Sequence, residues 1–185
     1  MERLRRGPIH GDANDYNLLV AYDEQGEQRL AGLLDFGDLC RTALVGEPAI
    51  AAAYAMMGKE DALAAAESLV AGYHRAFPLQ DEELALIFPL ILTRLAVSVA
   101  VSAAASRERP DDPYVTVSEA PAWRLLERFH AYDPNLVEAR LRAAAGLDPW
   151  PKSSRVVAWL RERSGSFAEV LGPARPAATS AIIDL

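Results

Sequence analysis

A short segment near the N-terminus combines the residue types that phosphoryl transfer to a hydroxyl group requires. Residues 10–17 read His-Gly-Asp-Ala-Asn-Asp-Tyr-Asn, so Asn17 follows Asp12 by five positions, and Asp35 follows a later apolar run. Such a transfer needs an acceptor for the hydroxyl proton, oxygen ligands for Mg²⁺ and positive groups on the phosphates. Asp12 can supply the first of these, and Asn17 and Asp35 can supply the second. The spacing therefore predicts one site for proton transfer and metal binding.

Two short apolar runs must bring these residues together. Residues 17–22 and 29–34 flank a polar connector that contains Gly26, a pattern that predicts a β-hairpin. In that hairpin Asn17 would begin the first strand and Asp35 would follow the second. The loop with Asp12 would then lie beside the metal-binding aspartate.

The rest of the chain, from about residue 47 to residue 163, predicts helices. Apolar spacing predicts helices over about 60–77, 81–107 and 134–145. A helix is also expected to begin at Glu47 and another after Ser118, and a last one should end near Arg163. The expected fold class is α+β and mostly α-helical, with a small hairpin that carries the site and packs on a helical bundle.

Composition excludes several classes of protein. The chain has 185 residues, is 51% hydrophobic and carries a formal net charge of −7, so disorder is not expected and no nucleic-acid partner is predicted. Its single cysteine, Cys40, excludes an internal disulfide and is expected to be an inert buried thiol. The basic N-terminus lacks the apolar segment of a signal peptide, so a cytoplasmic location is predicted.

The most hydrophobic segment, residues 84–105, could cross a membrane by length alone. Arg94 lies at its centre, Pro89 interrupts it, and much of it is Ala and Ser. These features favour a buried helix surrounded by other helices, with Arg94 paired to a buried carboxylate or extending to solvent. The sequence therefore predicts no membrane partner, and Pro89 is expected to kink or divide the helix.

The two motifs together resemble a known family. HGDANDYN resembles the HxDxxxxN catalytic loop of aminoglycoside phosphotransferases and choline-kinase-like enzymes, which are relatives of protein kinases, and LLDFGD resembles their metal-binding motif. The resemblance extends over about residues 8–130 and is nearest to the hydroxylysine-kinase-like branch. That branch includes members fused to a peptidase-like module and a class III aminotransferase module that depends on PLP. Residues 159–185 look like the junction to such a module.

The resemblance implies a role for each motif residue. Asp12 matches the catalytic base, Asn17 a Mg²⁺ ligand, and Asp35 the aspartate that bridges Mg²⁺ to the phosphates of ATP. His10 matches a residue that supports the loop, and Gly37 matches the permissive turn after the metal aspartate.

Four further acidic residues have two interpretations each. Asp15 and Asp38 flank the motifs, where they could cap turns or could support the metal and contact substrate. Asp111 and Asp112 belong to an acidic cluster with Glu119 that could simply be solvated. Related enzymes bind cationic amino alcohols against acids of the helical part, so the cluster could instead contact a substrate ammonium group.

The family also has an N-terminal lobe with a phosphate-covering loop and a phosphate-gripping lysine. Six residues precede Gly7, so we expect this chain to lack the N-terminal lobe and to need it as a partner. We expect residues 1–146 to form a kinase-like C-terminal lobe. It comprises catalytic loop 10–17, metal motif 35–37 and helical subdomain 47–146. Residues 147–185 are expected to be a last helix and a linker tail.

The function implied is ATP- and Mg²⁺-dependent phosphorylation of a small hydroxylated amine such as hydroxylysine or an amino alcohol. We expect the isolated chain to perform it inefficiently, because the phosphates would lack the lysine and the covering loop. One alternative is a non-catalytic remnant or docking module of a larger fusion protein. Another is a Mg²⁺-dependent phosphoesterase, which would need a nucleophile or second metal cluster that the sequence does not show.

Overall fold

The computed structural model describes residues 4–109, 119–151 and 153–163. The chain divides into two compact units, Met1–Pro149 and Trp150–Leu185. The predicted boundary after residue 146 falls near this division. The predicted cap Ser118, the acidic pair Asp111 and Asp112, and the tail after Arg163 lie outside the described residues.

The predicted hairpin is present. Strand β2 (Leu18–Tyr22) pairs antiparallel with β3 (Gln28–Leu33), and Leu18 is opposite Leu33. The Asp23 carboxylate closes the turn by accepting hydrogen bonds from the backbone N–H groups of Gln25 and Glu27 at 3.0 and 2.9 Å. The hairpin prediction is therefore confirmed to within one residue at each strand.

A second antiparallel pair was not predicted. Strand β1 (Arg6–Ile9) pairs with β4 (Cys40–Ala43), and it joins the segment before the catalytic loop to the segment after the metal motif. Both strands are short, and each lacks the alternation of apolar and polar residues that marks a strand. The prediction of a buried Cys40 is wrong, because this residue begins β4, whose first two residues are both exposed.

The helices follow the predicted periodicity. The first unit contains five described helices, and the second contains one, which carries Trp159 beneath the Arg163 guanidinium. Their bounds are α1 Gly46–Met56, α2 Ala62–Ala76, α3 Asp81–Glu108, α4 Glu119–Phe129, α5 Pro134–Ala144 and α6 Ser153–Glu162. Asp61 caps α2 and Asp133 caps α5 through their carboxylates, and Gln80 and Glu83 form a capping box on α3.

Helix α3 continues through Pro89 as one element, so of the two expected outcomes, a kink or a division, the division is wrong. Proline removes the hydrogen bond to the carbonyl of Ala85, four residues earlier. Both residues lie on the exposed side of the helix, where water can satisfy that carbonyl. The cost of the proline is therefore small enough for packing of the opposite side to maintain the helix.

The core of the first unit lies between α3 and the surrounding helices α1, α2, α4 and α5. Alanines on α1 allow close approach, and larger side chains fill the interior, including Met56, Leu84, Ile87, Ile91 and Phe129. By length and composition α3 could cross a membrane, and 33% of its most apolar stretch is buried in the structure. The expectation that helices surround α3 holds for one side, since Val97 and Val101 on the other side are exposed.

Candidate active site

The catalytic loop connects β1 to a single 3₁₀ turn, Asp15–Asn17. Asn14 caps this turn, because its Oδ1 accepts hydrogen bonds from the backbone N–H groups of Tyr16 and Asn17 at 2.9 and 3.1 Å. Its Nδ2 donates to Oδ2 of Asp12 at 2.9 Å. One asparagine side chain therefore folds the loop and orients the carboxylate of the predicted base.

The side chain of Asn17 is fixed in the same way. Its Nδ2 donates to the backbone oxygen of Asp12 at 2.9 Å and to Oδ2 of Asp12 at 3.2 Å. The oxygen and the nitrogen of an amide group point in different directions from the carbonyl carbon. Because Nδ2 of Asn17 points toward Asp12, its Oδ1 points away from Asp12. That oxygen is available as a ligand for a hard cation such as Mg²⁺.

Two buried or half-buried groups support the loop from below. The His10 Nδ1 accepts from the backbone N–H of Asp12 at 3.3 Å, and its Nε2 is 2.8 Å from the backbone oxygen of Leu34. The hydrogen-bond pattern places the proton on Nε2. Glu47, in the first turn of α1, accepts from the backbone N–H groups of His10 and Gly11 at 2.5 and 3.3 Å. His10 thus joins the two motifs through hydrogen bonds to Asp12 and Leu34.

Gly11 occupies a position that excludes a side chain. Its φ is +82°, and a Cβ atom built there would lie 2.8 Å from the backbone oxygen of Asp38. Both features require glycine. The close approach brings the turn after the metal motif against the catalytic loop, whereas the Asp38 side chain itself is exposed.

Asp35 has an unusual backbone conformation. Its φ of 55° and ψ of 79° place it in the left-handed region, and no other non-glycine in the described part of the chain has a positive φ. Such strain costs about 1 kcal/mol or more and is concentrated at functional sites. The Gly37 N–H donates to Oδ1 of Asp35 at 3.2 Å, and the preceding Leu34 N–H donates to the backbone oxygen of Asn17 at 2.8 Å. Asp35, whose carboxylate is exposed, therefore directly follows Leu34, and Leu34 is hydrogen-bonded to Asn17, the other predicted metal ligand.

The other carboxylate oxygen of Asp12 is bound by the helical part of the molecule. Oδ1 accepts hydrogen bonds from the Tyr54 hydroxyl and from Nη2 of Arg94, each at 2.9 Å. Arg94 also donates to the Tyr54 oxygen, and its guanidinium lies over the tyrosine ring. Burial raises the pKa of the Tyr54 phenol, although Arg94 opposes the shift. The phenol therefore keeps its proton at neutral pH and acts as a donor to Asp12.

A cleft of about 430 Å³ opens beside this carboxylate. The catalytic loop, the C-terminal end of α1 and the C-terminal half of α3 form its walls. Asp12, Asp15, Tyr54, Arg94, Val97 and Val101 are among its lining residues. A small molecule in this cleft could bring a hydroxyl group to Asp12 while its hydrocarbon part contacts α3.

The structure thus groups the predicted site residues and adds others. Asp12, Asn17, Asp35, His10 and Gly37 surround the contact between the two motifs, and Asp15 lines the cleft. Arg94 pairs with a carboxylate, as one of the two expected outcomes stated, but the partner is Asp12, whose side chain is 22% exposed and not buried. Sequence reasoning missed three contributors, Asn14, Glu47 and Tyr54. Asn14 lies within the motif and could have been recognised as a cap, whereas the contacts of the other two have no local signal.

Comparison with known proteins finds similarity to one family. Residues 2–86 match the model of the phosphotransferase enzyme family, and this range contains both the catalytic loop and the metal motif. The similarity to this family covers 85 of the 185 residues. Arg94 lies beyond the matched phosphotransferase segment, although its side chain reaches the centre of the site.

Curated relatives extend the similarity along the chain. The hydroxylysine kinase of Xenopus laevis is 30% identical over 135 residues, which cover 70% of this chain and 36% of the relative. The hydroxylysine kinase of Danio rerio is 30% identical over 132 residues, which cover 71% of this chain and 37% of the relative. This chain therefore spans little more than a third of the length of the curated relatives it matches. No solved structure matches it at a significant level.

Proposed function

We propose that this chain transfers the γ-phosphoryl group of ATP to the hydroxyl of a small metabolite. The observation that carries the proposal is the placement of Asp12. Its carboxylate faces a cleft large enough for a small metabolite. Asn17 and Asp35 lie beside this cleft, where the catalytic loop meets the metal motif. Both motifs fall within the segment that matches the phosphotransferase family.

The reaction assigns a simple role to Asp12. The acceptor hydroxyl donates a hydrogen bond to the carboxylate, and its oxygen forms a bond to the γ-phosphorus of ATP. The bond between that phosphorus and the bridging oxygen of ADP breaks, and the hydroxyl proton passes to Asp12. His10, Asn14 and Glu47 keep the base in position through the contacts of the loop.

Asn17 and Asp35 fit a Mg²⁺ site. The Asn17 amide presents an oxygen on the side away from Asp12, and the Asp35 carboxylate is exposed and held in a left-handed backbone. Mg²⁺ commonly takes only one or two protein ligands and completes its shell with phosphate oxygens and water. When bound, the ion would neutralise charge on the transferring phosphate.

The acceptor proposed is hydroxylysine or a related amino alcohol. The names of the curated relatives support this choice, and so does the elongated wall that α3 gives the cleft. Asp15 is a carboxylate at the cleft that a substrate ammonium group could meet. The proposed contacts with Asp111 and Asp112 lie outside the described residues.

We further propose that the chain alone transfers phosphate slowly. Its sequence has two lysines, Lys59 and Lys152, and neither belongs to the catalytic loop or the hairpin. The hairpin also exposes apolar side chains, among them Val20 and Leu30 at 55% and 67% exposure. We infer that a phosphate-gripping lysine and a cover for this surface come from a partner lobe. Loss of one charge clamp costs on the order of 10³-fold in rate in this reaction class.

The test is a transfer assay with the 185-residue chain in excess over labelled ATP, with Mg²⁺ and 5-hydroxylysine. These conditions detect a single slow turnover. We expect label to appear on the hydroxyl oxygen, and we expect Asp12→Asn to reduce the transfer rate by about 10² or more while nucleotide affinity stays the same. Transfer that is equal in the two proteins would refute the role of Asp12. Absence of transfer in both would favour the docking-module alternative.

A further inference from the structure

The Asp12 carboxylate has no free position for an acceptor hydroxyl in this structure. An ionised carboxylate offers about four lone-pair positions. Asn14 and Asn17 donate to Oδ2 at 2.9 and 3.2 Å, and Tyr54 and Arg94 donate to Oδ1 at 2.9 Å each. A substrate hydroxyl that uses Asp12 as its base must therefore replace one of these four donors.

The chemistry of the four donors indicates which one is replaced. Asn14 and Asn17 belong to the loop, and their side chains also fix the 3₁₀ turn and the backbone of Asp12. Arg94 carries a charge, and a half-buried charge that loses its partner costs several kcal/mol. The Tyr54 hydroxyl is the neutral O–H donor of the set, lies in the cleft wall and has the same donor group as the acceptor.

We propose that the Tyr54 hydroxyl occupies the position of the acceptor hydroxyl, and that the acceptor replaces it on Oδ1 of Asp12 while Arg94 keeps its ion pair with that oxygen. This inference rests on the proposed function and specifies the hydroxyl subsite within it. Tyr54 is then a placeholder, and Arg94 is a positioning residue for the base.

The contacts of Arg94 support this division of roles. Its Nη2 donates both to Asp12 and to the Tyr54 oxygen, so an acceptor oxygen at the same place would inherit the second hydrogen bond. Its Nε is buried and has no hydrogen-bond partner within the described part of the chain, so the hydrogen bonds at Nη2 and the contact with the Tyr54 ring hold the guanidinium beside the base. Tyr54 carries its proton at neutral pH, since burial raises its pKa.

The first test separates the two roles by kinetics in the excess-enzyme assay, with the concentration of 5-hydroxylysine varied. Tyr54→Phe should lower the half-saturating concentration about 3- to 10-fold, the factor that one net hydrogen bond is worth, and should leave the maximal rate within about 2-fold. Arg94→Gln should lower the maximal rate by about 10², and Arg94→Lys should restore part of it. Tyr132→Phe is the matched control and should change neither value, because Tyr132 stacks on Phe129 and does not line the cleft.

The opposite pattern would overturn the proposal. If Tyr54→Phe lowers the maximal rate as strongly as Arg94→Gln, then Tyr54 positions the base and does not hold a place for the acceptor. Circular dichroism of each variant distinguishes this result from loss of fold. If a variant has lost its fold, the binding measurement below decides the placeholder role.

The second test does not depend on turnover. The chain is labelled with ¹³C at the tyrosine Cζ atoms, and the Tyr54 signal is assigned by its loss in Tyr54→Phe. Titration with 5-hydroxylysine in the presence of Mg²⁺ and ADP should shift this signal saturably, because the phenol loses its acceptor. Lysine, which lacks the hydroxyl, should leave the signal unmoved. No shift, or an equal shift with lysine, would refute the subsite even if transfer occurs. A selective shift without transfer would support the subsite and refute the proposed function.

Discussion

Replacement of Glu83 by Gln should destabilise the chain by about 2–3 kcal/mol. Glu83 is fully buried on α3 and accepts hydrogen bonds from Nε and Nη2 of Arg5 at 2.9 and 2.5 Å. It also accepts from the backbone N–H of Gln80 at 2.9 Å. The pair joins the start of α3 to the segment that enters β1. Removal of one partner of a buried pair costs about 3–5 kcal/mol, but the Arg5 side chain is 29% exposed, so water recovers part of this cost.

The assay is equilibrium unfolding in urea, together with the thermal midpoint. For a chain of this size the expected loss lowers the midpoint by roughly 5–10 °C. The matched control is Glu67→Gln, since Glu67 pairs with an Arg140 side chain that is 45% exposed. A surface pair of this kind contributes about 0–1 kcal/mol. The reasoning would be refuted if Glu83→Gln lay within about 0.5 kcal/mol of the wild type, or if both variants lost the same amount.

The same pair predicts a pH dependence. Burial by itself would raise the pKa of Glu83, but the hydrogen bonds from Arg5 and Gln80 outweigh it and hold the pKa below its usual value. A carboxyl with a lowered pKa stabilises the folded state above its unfolded pKa, and this contribution is lost as pH falls through the folded value. The difference in unfolding free energy between wild type and Glu83→Gln should therefore be constant near pH 7 and shrink below about pH 4. A difference that grows as the solution becomes more acidic would contradict the assignment.

Two further predictions concern the motifs themselves. Gly11→Ala should lower the unfolding free energy by about 1–3 kcal/mol, because φ is +82° and the new Cβ would lie 2.8 Å from the Asp38 oxygen. The control is Gly26→Ala, which has a φ of +81° but no described atom within 4 Å of the new Cβ, and it should lower the unfolding free energy less. Equal losses in the two variants would contradict the close approach at Gly11. Asp35→Asn should leave the urea midpoint nearly unchanged, because asparagine tolerates the left-handed backbone and can still accept from Gly37. Its transfer rate should fall by about 10² or more and should respond less to Mg²⁺, whereas an unchanged Mg²⁺ response would exclude Asp35 as a ligand.

The local parts of this protein could be read from its sequence. The hairpin follows from two apolar runs around a glycine-containing connector, and the helices follow from apolar spacing and caps such as Asp61 and Asp133. The types and spacing of Asp12, Asn17 and Asp35 indicated the chemistry, because a base and its metal ligands must come from a few oxygen-bearing residues at a fixed separation.

The tertiary structure alone decided which groups complete the site. Tyr54 and Arg94 reach the same oxygen of Asp12 from 42 and 82 positions away. The β1–β4 pair likewise joins segments more than 30 residues apart. The exposure of Cys40 and the continuous helix through Pro89 depend on which face each neighbour covers. Periodicity and spacing describe a chain along its own length, whereas these contacts depend on how separate elements pack against one another. Residue types and spacing therefore predict the chemistry that we propose for Asp12, whereas packing alone determines which donors from distant elements hold its carboxylate.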